Sequence, residues 1–225
     1  MVDRIVVGVF NTNSYLFSEW KKECIIIDPG SEATKIIANM SQKNLTPRGI
    51  VCTHGHIDHI SAIKDIQSHF SDLGHDLPLA VHEKDLHFFG PDAGKVHTDS
   101  ISGISIELLI SLNIEIHSIP KVDIILKEGD TLFGSDLTVI HTPGHSPGGI
   151  SLYSESQNFL FSGDTLFFEG IGRTDLPGGD IKTLIKSINE KILNLPDDTR
   201  VFPGHGPFST IERERDHNPF IKEVY

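Results

Sequence analysis

Gly49-Ile50-Val51-Cys52-Thr53-His54-Gly55-His56-Ile57-Asp58-His59-Ile60 joins an apolar run to a cluster of three histidines and one aspartate. Gly49 to Thr53 has the composition of a buried strand. From Asp58 onward, Ile60, Ile63, Ile66 and Phe70 recur at the spacing of a helix with one face turned inward. The donors therefore stand in a strand-to-helix loop, where a rigid scaffold delivers reactive groups. If the chain stays extended past the strand, alternation turns His54 and His56 to one side, where two imidazoles can grip one metal ion. Asp58 and His59 follow where the chain turns, point differently, and can serve a second metal.

Upstream of this loop, Arg4 to Val9, Ser14 to Phe17 and Cys24 to Asp28 read as short strands separated by Asn, Lys and Gly turn residues. Asp28-Pro29-Gly30-Ser31 stops the last of them and offers Ser31 as the N-cap of a helix carrying Ala33, Ile36, Ile37 and Met40. Downstream, strand-like runs fall near Val122 to Leu126, Leu137 to His141, Gly149 to Tyr153 and Asn158 to Ser162. A helix at about Ile181 to Leu193, a strand at Thr199 to Phe202 and a charged helix through Ile211 to Asp216 complete the pattern. Two halves of this form predict an α/β (α+β) fold, with two sheets face to face and helices outside. With no Pro- or Ser-rich linker, the 225 residues (1–225) read as one domain. Phe88 to Pro120 lacks a clean period, apart from a short apolar helix at Ile104 to Leu112. It reads as a lid, an oligomer contact or a surface excursion.

The net charge is −12, and no dense Lys/Arg stretch is present to neutralise phosphates, which argues against a nucleic-acid partner. No apolar stretch is long enough to span a bilayer, and the N-terminal run Ile5 to Phe10 is too short for a signal-peptide core. Cys24 and Cys52 read as buried reduced thiols, which fits a cytoplasmic protein.

Three later segments complete a donor set: Thr142-Pro143-Gly144-His145-Ser146, Phe161-Ser162-Gly163-Asp164-Thr165 and Phe202-Pro203-Gly204-His205-Gly206. Each places a His or Asp just beyond a strand-like run. A lone His in such a place is more often structural, but with the first loop these segments give five His and two Asp, enough for two metals. His141, just before the His145 loop, can support it by donating to a ligand or a backbone carbonyl.

His54-x-His56-x-Asp58-His59, His145, Asp164 and His205, in this order, resemble the ligand set of the metallo-β-lactamase superfamily. The resemblance runs from about Ile5 to Phe220. It implies the αββα sandwich, with His54, His56 and His145 on one metal, Asp58, His59 and His205 on the other, and Asp164 bridging. The metals would be two divalent ions, zinc first, with iron or manganese as alternatives. Gly163-Asp164-Thr165-Leu166-Phe167 and Gly172-Arg173-Thr174-Asp175-Leu176-Pro177-Gly178-Gly179 are similar to the short glyoxalase II-like hydrolases. So are Phe202 to Pro207 and Asn218-Pro219-Phe220. The chain ends at Tyr225, without the C-terminal helical domain that holds much of the glutathione in long-form glyoxalase II.

The expected reaction is hydrolysis of a small-molecule thioester, hydroxyacylglutathione-like, by a metal-bridging hydroxide that Asp58 orients. A thiolate leaving group, whose acid has a pKa of about 8.5, departs without a strong general acid, whereas an amine does not. Arg173 can pair with a substrate carboxylate, together with Asp175, or the two can fix their own loop. Two other readings stand beside this one. A persulfide dioxygenase of the same fold would hold one iron on His54, His145 and Asp164. A non-catalytic metal-binding protein would keep the ligands without turnover, although structural zinc sites are usually closed by Cys and His.

Overall fold

The structure, a computed structural model, describes residues 1–100 and 119–222. The expected helix at Ile104 to Leu112 lies outside the described residues. The chain packs as two compact units. One holds residues 1–81 with the described part of 86–125; the other holds residues 82–85 and 126–222.

The first unit is built on a mixed sheet. Its strands are β1 (Val2–Val7), β2 (Thr12–Phe17), β3 (Glu23–Ile27), β4 (Thr46–Val51), β5 (Leu79–His82) and β6 (Ile124–Leu126), in that spatial order. β1, β2 and β3 pair antiparallel, whereas β3, β4 and β5 run parallel. Ile25, Ile26 and Ile27 are all fully buried. Such an unbroken apolar run marks a strand covered on both faces, and each residue stabilises the fold by roughly 1.5–3 kcal/mol. Because β3 and β4 run parallel, their C-terminal ends lie side by side. The turn after Ile27 and the loop after Val51 therefore emerge together, and Asp28 N–H donates to the Val51 carbonyl at 3.1 Å.

Helix α1 (Ala33–Gln42) buries Ala33, Ile36 and Met40, as their spacing predicts, but Ser31 does not cap it. Glu32 precedes the helix in a left-handed conformation, without a side-chain cap bond. Its carboxylate instead accepts from Gly8 N–H at 2.8 Å, tying the helix start to the β1–β2 turn. The helix expected from Asp58 onward is two: α2 (Ile57–Ile60) and α3 (Ile63–Asp72). The break falls at Ser61–Ala62, where Ala62 N–H is diverted to the Pro29 carbonyl at 3.0 Å. Ile60, Ile63, Ile66 and Phe70 are buried on both sides of the break. A 3₁₀ turn (Glu83–Phe88) and helix α4 (Ala93–Ser100) follow β5.

In the second unit, β7 (Leu137–His141), β8 (Ile150–Ser154), β9 (Phe159–Gly163), β12 (Arg200–Pro203) and β13 (Ser209–Thr210) form a mixed sheet of order β13-β12-β9-β8-β7. A small hairpin, β10 (Leu166–Phe167) and β11 (Gly170–Ile171), forms a separate two-stranded sheet beside β9 and β12. β8 is antiparallel to β7 and β9, and β12 is parallel to β9. β7, β9 and β12 therefore point the same way, and the loops after all three leave one edge of the sheet. Helix α5 (Ile181–Ser187) starts at Asp180, whose carboxylate accepts Thr183 N–H at 2.8 Å as an N-cap. It continues as a wider π-type turn over Ile188–Ile192, so the one helix read from the sequence has two geometries. Helix α6 (Ile211–His217) is capped by Thr210, and a last turn, α7 (Pro219–Lys222), closes the described chain.

Candidate metal centre

The residues after β4 set the first group of donors. His54 and His56 stand in the loop with ring centroids 4.7 Å apart at 90°, and the His59 ring lies 4.1 Å from His54. Asp58 Oδ2 is 3.6 Å from His59 Nε2. All three histidines are buried.

What holds these rings is a residue whose role was not read from the sequence. Asp28, treated there as the end of a strand, sits in a left-handed turn (φ 50°) and is buried. Its carboxylate accepts Thr53 N–H at 2.7 Å and Thr53 Oγ1–H at 2.7 Å, and lies 3.1 Å from His59 Nδ1. Nδ1 of His59 is thereby engaged as a donor, which leaves Nε2 with its lone pair for a metal. Asp58 is steadied in turn by Thr12 Oγ1, which donates to Oδ2 at 3.2 Å. Gly30 completes the local design. A Cβ there would fall 1.7 Å from the Asp58 carbonyl oxygen, so only glycine allows the two backbones to touch. The signal for Asp28 was present in Asp28-Pro29-Gly30, but turn chemistry explains that tripeptide equally well.

The second group comes from the shared edge of β7, β9 and β12. Asp164 Oδ2 lies 3.6 Å from both His145 Nε2 and His205 Nε2, so one carboxylate oxygen faces two imidazole nitrogens. His145 Nδ1 donates to the Arg173 carbonyl at 2.7 Å, which again frees Nε2 as the ligand atom. Gly204 N–H donates to the Gly163 carbonyl at 2.8 Å, locking the His205 loop to the Asp164 loop. A Cβ on Gly172 would stand 1.8 Å from the Asp164 carbonyl oxygen and 3.2 Å from His145 Nδ1. His141 Nε2 donates to a backbone carbonyl, that of Pro147, at 3.0 Å, and its ring stacks on His82 at 4.1 Å.

Among the described residues, each unit thus carries its own cluster of donors at strand ends: His54, His56, Asp58 and His59 after β4 in the first, and His145, Asp164 and His205 after β7, β9 and β12 in the second. The donors are imidazole and carboxylate, the set that suits zinc, iron or manganese, and in His59 and His145 the hydrogen bond at Nδ1 leaves Nε2 available. This arrangement fits divalent metal ions.

Arg173 and Asp175 stand apart from these groups. Arg173 Nε and a terminal guanidinium nitrogen donate to the two carboxylate oxygens of Asp175 at 2.7 and 2.6 Å, and both side chains are more than half exposed. This bidentate pair holds the Asp175 carboxyl down at about 2.

The metallo-β-lactamase superfamily model matches residues 7–205. A hydroxyacylglutathione hydrolase, GloC, of Haemophilus influenzae is 33% identical over 98% of this chain and 97% of its own length. The crystal structure of the BLEG-1 B3 metallo-β-lactamase superposes with a TM-score of 0.83 at 38% identity, covering 99% of this chain and all of that one. TTHA1623, solved in a di-iron-bound form, gives 0.81 at 34%, covering 97% and 99%. Two mixed sheets with helices, a His/Asp donor set at strand ends and a family match across 7–205 agree: this chain belongs to the metallo-β-lactamase superfamily, and its site is that of a metal-dependent hydrolase.

Proposed function

We propose that this chain is a dinuclear metallohydrolase that cleaves a hydroxyacylglutathione-like thioester. One observation carries the dinuclear part. Seven imidazole and carboxylate donors stand at strand ends, four in the loop after β4 and three after β7, β9 and β12, whereas a single zinc ion takes about four. His54, His56 and His145 would hold one ion, Asp58, His59 and His205 the other, with Asp164 in common. The di-iron form of TTHA1623 supports the count, and zinc is our first assignment for the metal.

Two divalent ions held there would activate a shared water and polarise the acyl carbonyl. Asp58 orients the attacking water through a carboxylate that Thr12 keeps from rotating. Asp28 and the Arg173 carbonyl fix His59 and His145 in the tautomer that leaves Nε2 unprotonated. The leaving thiolate needs no proton, since its acid has a pKa of about 8.5. Arg173, exposed just after Gly172, would meet an anionic substrate by exchanging the Asp175 carboxylate for that of the substrate. The thioester assignment draws on GloC. BLEG-1 favours a second reading, hydrolysis of a β-lactam. The net charge of −12 points to a small-molecule substrate rather than a nucleic acid. Among the described residues, no helix is long and apolar enough to cross a membrane. Cys24 and Cys52 are buried and free, in keeping with a reducing cytoplasm.

The test is elemental analysis of protein purified without added metal, paired with turnover of a hydroxyacylglutathione, a cephalosporin and a glutathione persulfide. Two metals per chain with thioester turnover are expected. Preferred turnover of the cephalosporin would replace the substrate class. One iron per chain with oxygen consumption would overturn the hydrolase.

A further inference from the structure

We propose that Asp85 is the positioning residue for His145, acting through the loop that follows it. The proposal rests on the dinuclear reading above. Asp85 is fully buried. Its Oδ2 accepts from Ser146 Oγ at 2.7 Å and its Oδ1 from Gly148 N–H at 2.6 Å. A carboxylate taken out of water is costly unless hydrogen-bonded, and here both bonds go to the four residues that begin with His145. The contact admits no intermediary: a Cβ on Gly148 would fall 2.5 Å from Asp85 N and 2.7 Å from its carboxylate.

The same short segment grips the loop a second time. His82 stacks on His141 with rings 4.1 Å apart and 11° from parallel, and His141 donates to the Pro147 carbonyl. Pro147 lies between the two residues that Asp85 holds. Residues 82–85 thus fasten the 146–148 backbone from two sides, while Asp180 N–H donates to the Gly144 carbonyl at 2.8 Å on the other flank of His145. The Arg173 carbonyl sets the rotation of the imidazole, whereas Asp85 sets where its backbone stands. Metal ligands tolerate displacements of only about 0.5 Å, so loosening this anchor should weaken the ion that His145 holds and spare the other.

Asp85→Asn keeps the shape but can no longer accept both bonds, and Ser146→Ala removes one of them. Stepwise Co²⁺ binding is followed by calorimetry and by visible absorption, beside thermal melts and thioester kinetics. For Asp85→Asn one Co²⁺ equivalent is expected to weaken about ten- to hundredfold, the range for outer partners of a metal ligand, with the other unchanged. kcat should fall more than KM rises, and Ser146→Ala should give a smaller loss in the same equivalent, a result that stands even if Asp85→Asn fails to fold. Both equivalents unchanged, or both weakened alike along with the melt, would overturn the proposal. A wild-type chain that takes up no Co²⁺ would instead sink the dinuclear reading on which it rests.

Discussion

The loop at His54–His59 and the three loops bearing His145, Asp164 and His205 solve the same chemical problem in opposite ways. The first packs four donors into six residues and steadies them with near neighbours in the fold: Asp28 on His59, Thr12 on Asp58, Gly30 against the Asp58 backbone. The second gathers one donor from each of three codirectional strand ends and relies on the sheet for alignment, with Asp164 Oδ2 equidistant from two imidazoles. Concentration makes a motif visible in sequence, whereas dispersion hides it among ordinary strand–loop junctions. The first loop therefore depends on polar supports that single substitutions remove, whereas the second depends first on the geometry of β7, β9 and β12, to which the Asp85 anchor of the His145 loop is added.

Substitution can break that contrast. Asp58→Ala should have the largest effect, a fall in thioester turnover of at least about a hundredfold, the scale of losing a major catalytic group. Near-normal kcat would remove Asp58 from the mechanism. Asp28→Asn leaves every ligand in place but loses an acceptor for Thr53 and His59. Metal affinity, titrated with a competing chelator, should drop about ten- to hundredfold; unchanged affinity would show that the first loop needs no such support.

A smaller effect tests the second region. Burial, and after it the neighbouring His141, pushes the His82 imidazole down to about 4. Its folded value lies below the unfolded value of about 6.5, so the unfolded chain takes up the proton first. The stability this neutral ring contributes is present above about pH 6.5 and is lost as pH falls towards 4. His82→Asn should flatten the decline of Tm across that window, and an unaltered slope would mean that other groups govern acid sensitivity. Smallest of all, Arg173→Ala should raise KM for an anionic thioester and leave Tm within about a degree, because its salt bridge is solvent-exposed. An unchanged KM would reduce the Arg173–Asp175 pair to a loop brace.

Legibility in the sequence followed the same divide. Apolar spacing located most strands to within a residue or two and the buried faces of α1 and α3, because burial of one face dictates that spacing. Hydrogen bonds from distant residues were invisible. Nothing local told that Ala62 N–H would turn to Pro29 and split the helix after Ile60, or that Glu32 would replace Ser31 at the start of α1. The candidate donor side chains announced themselves by type and order. Asp28 and Asp85 did not, since a buried aspartate that holds a loop looks, one residue at a time, like an aspartate in a turn.

Gly172 carries a consequence for redesign. Its backbone lies so close to Asp164 and His145 that any side chain there would collide with the Asp164 carbonyl and crowd the His145 ring. The next residue, Arg173, is exposed and turned towards Asp175. Side-chain variation next to the candidate donors can thus begin only one residue later, and a library built to test the proposed substrate contacts should hold position 172 fixed while randomising 173 and 175. The chain permits novelty immediately beside a position that permits none.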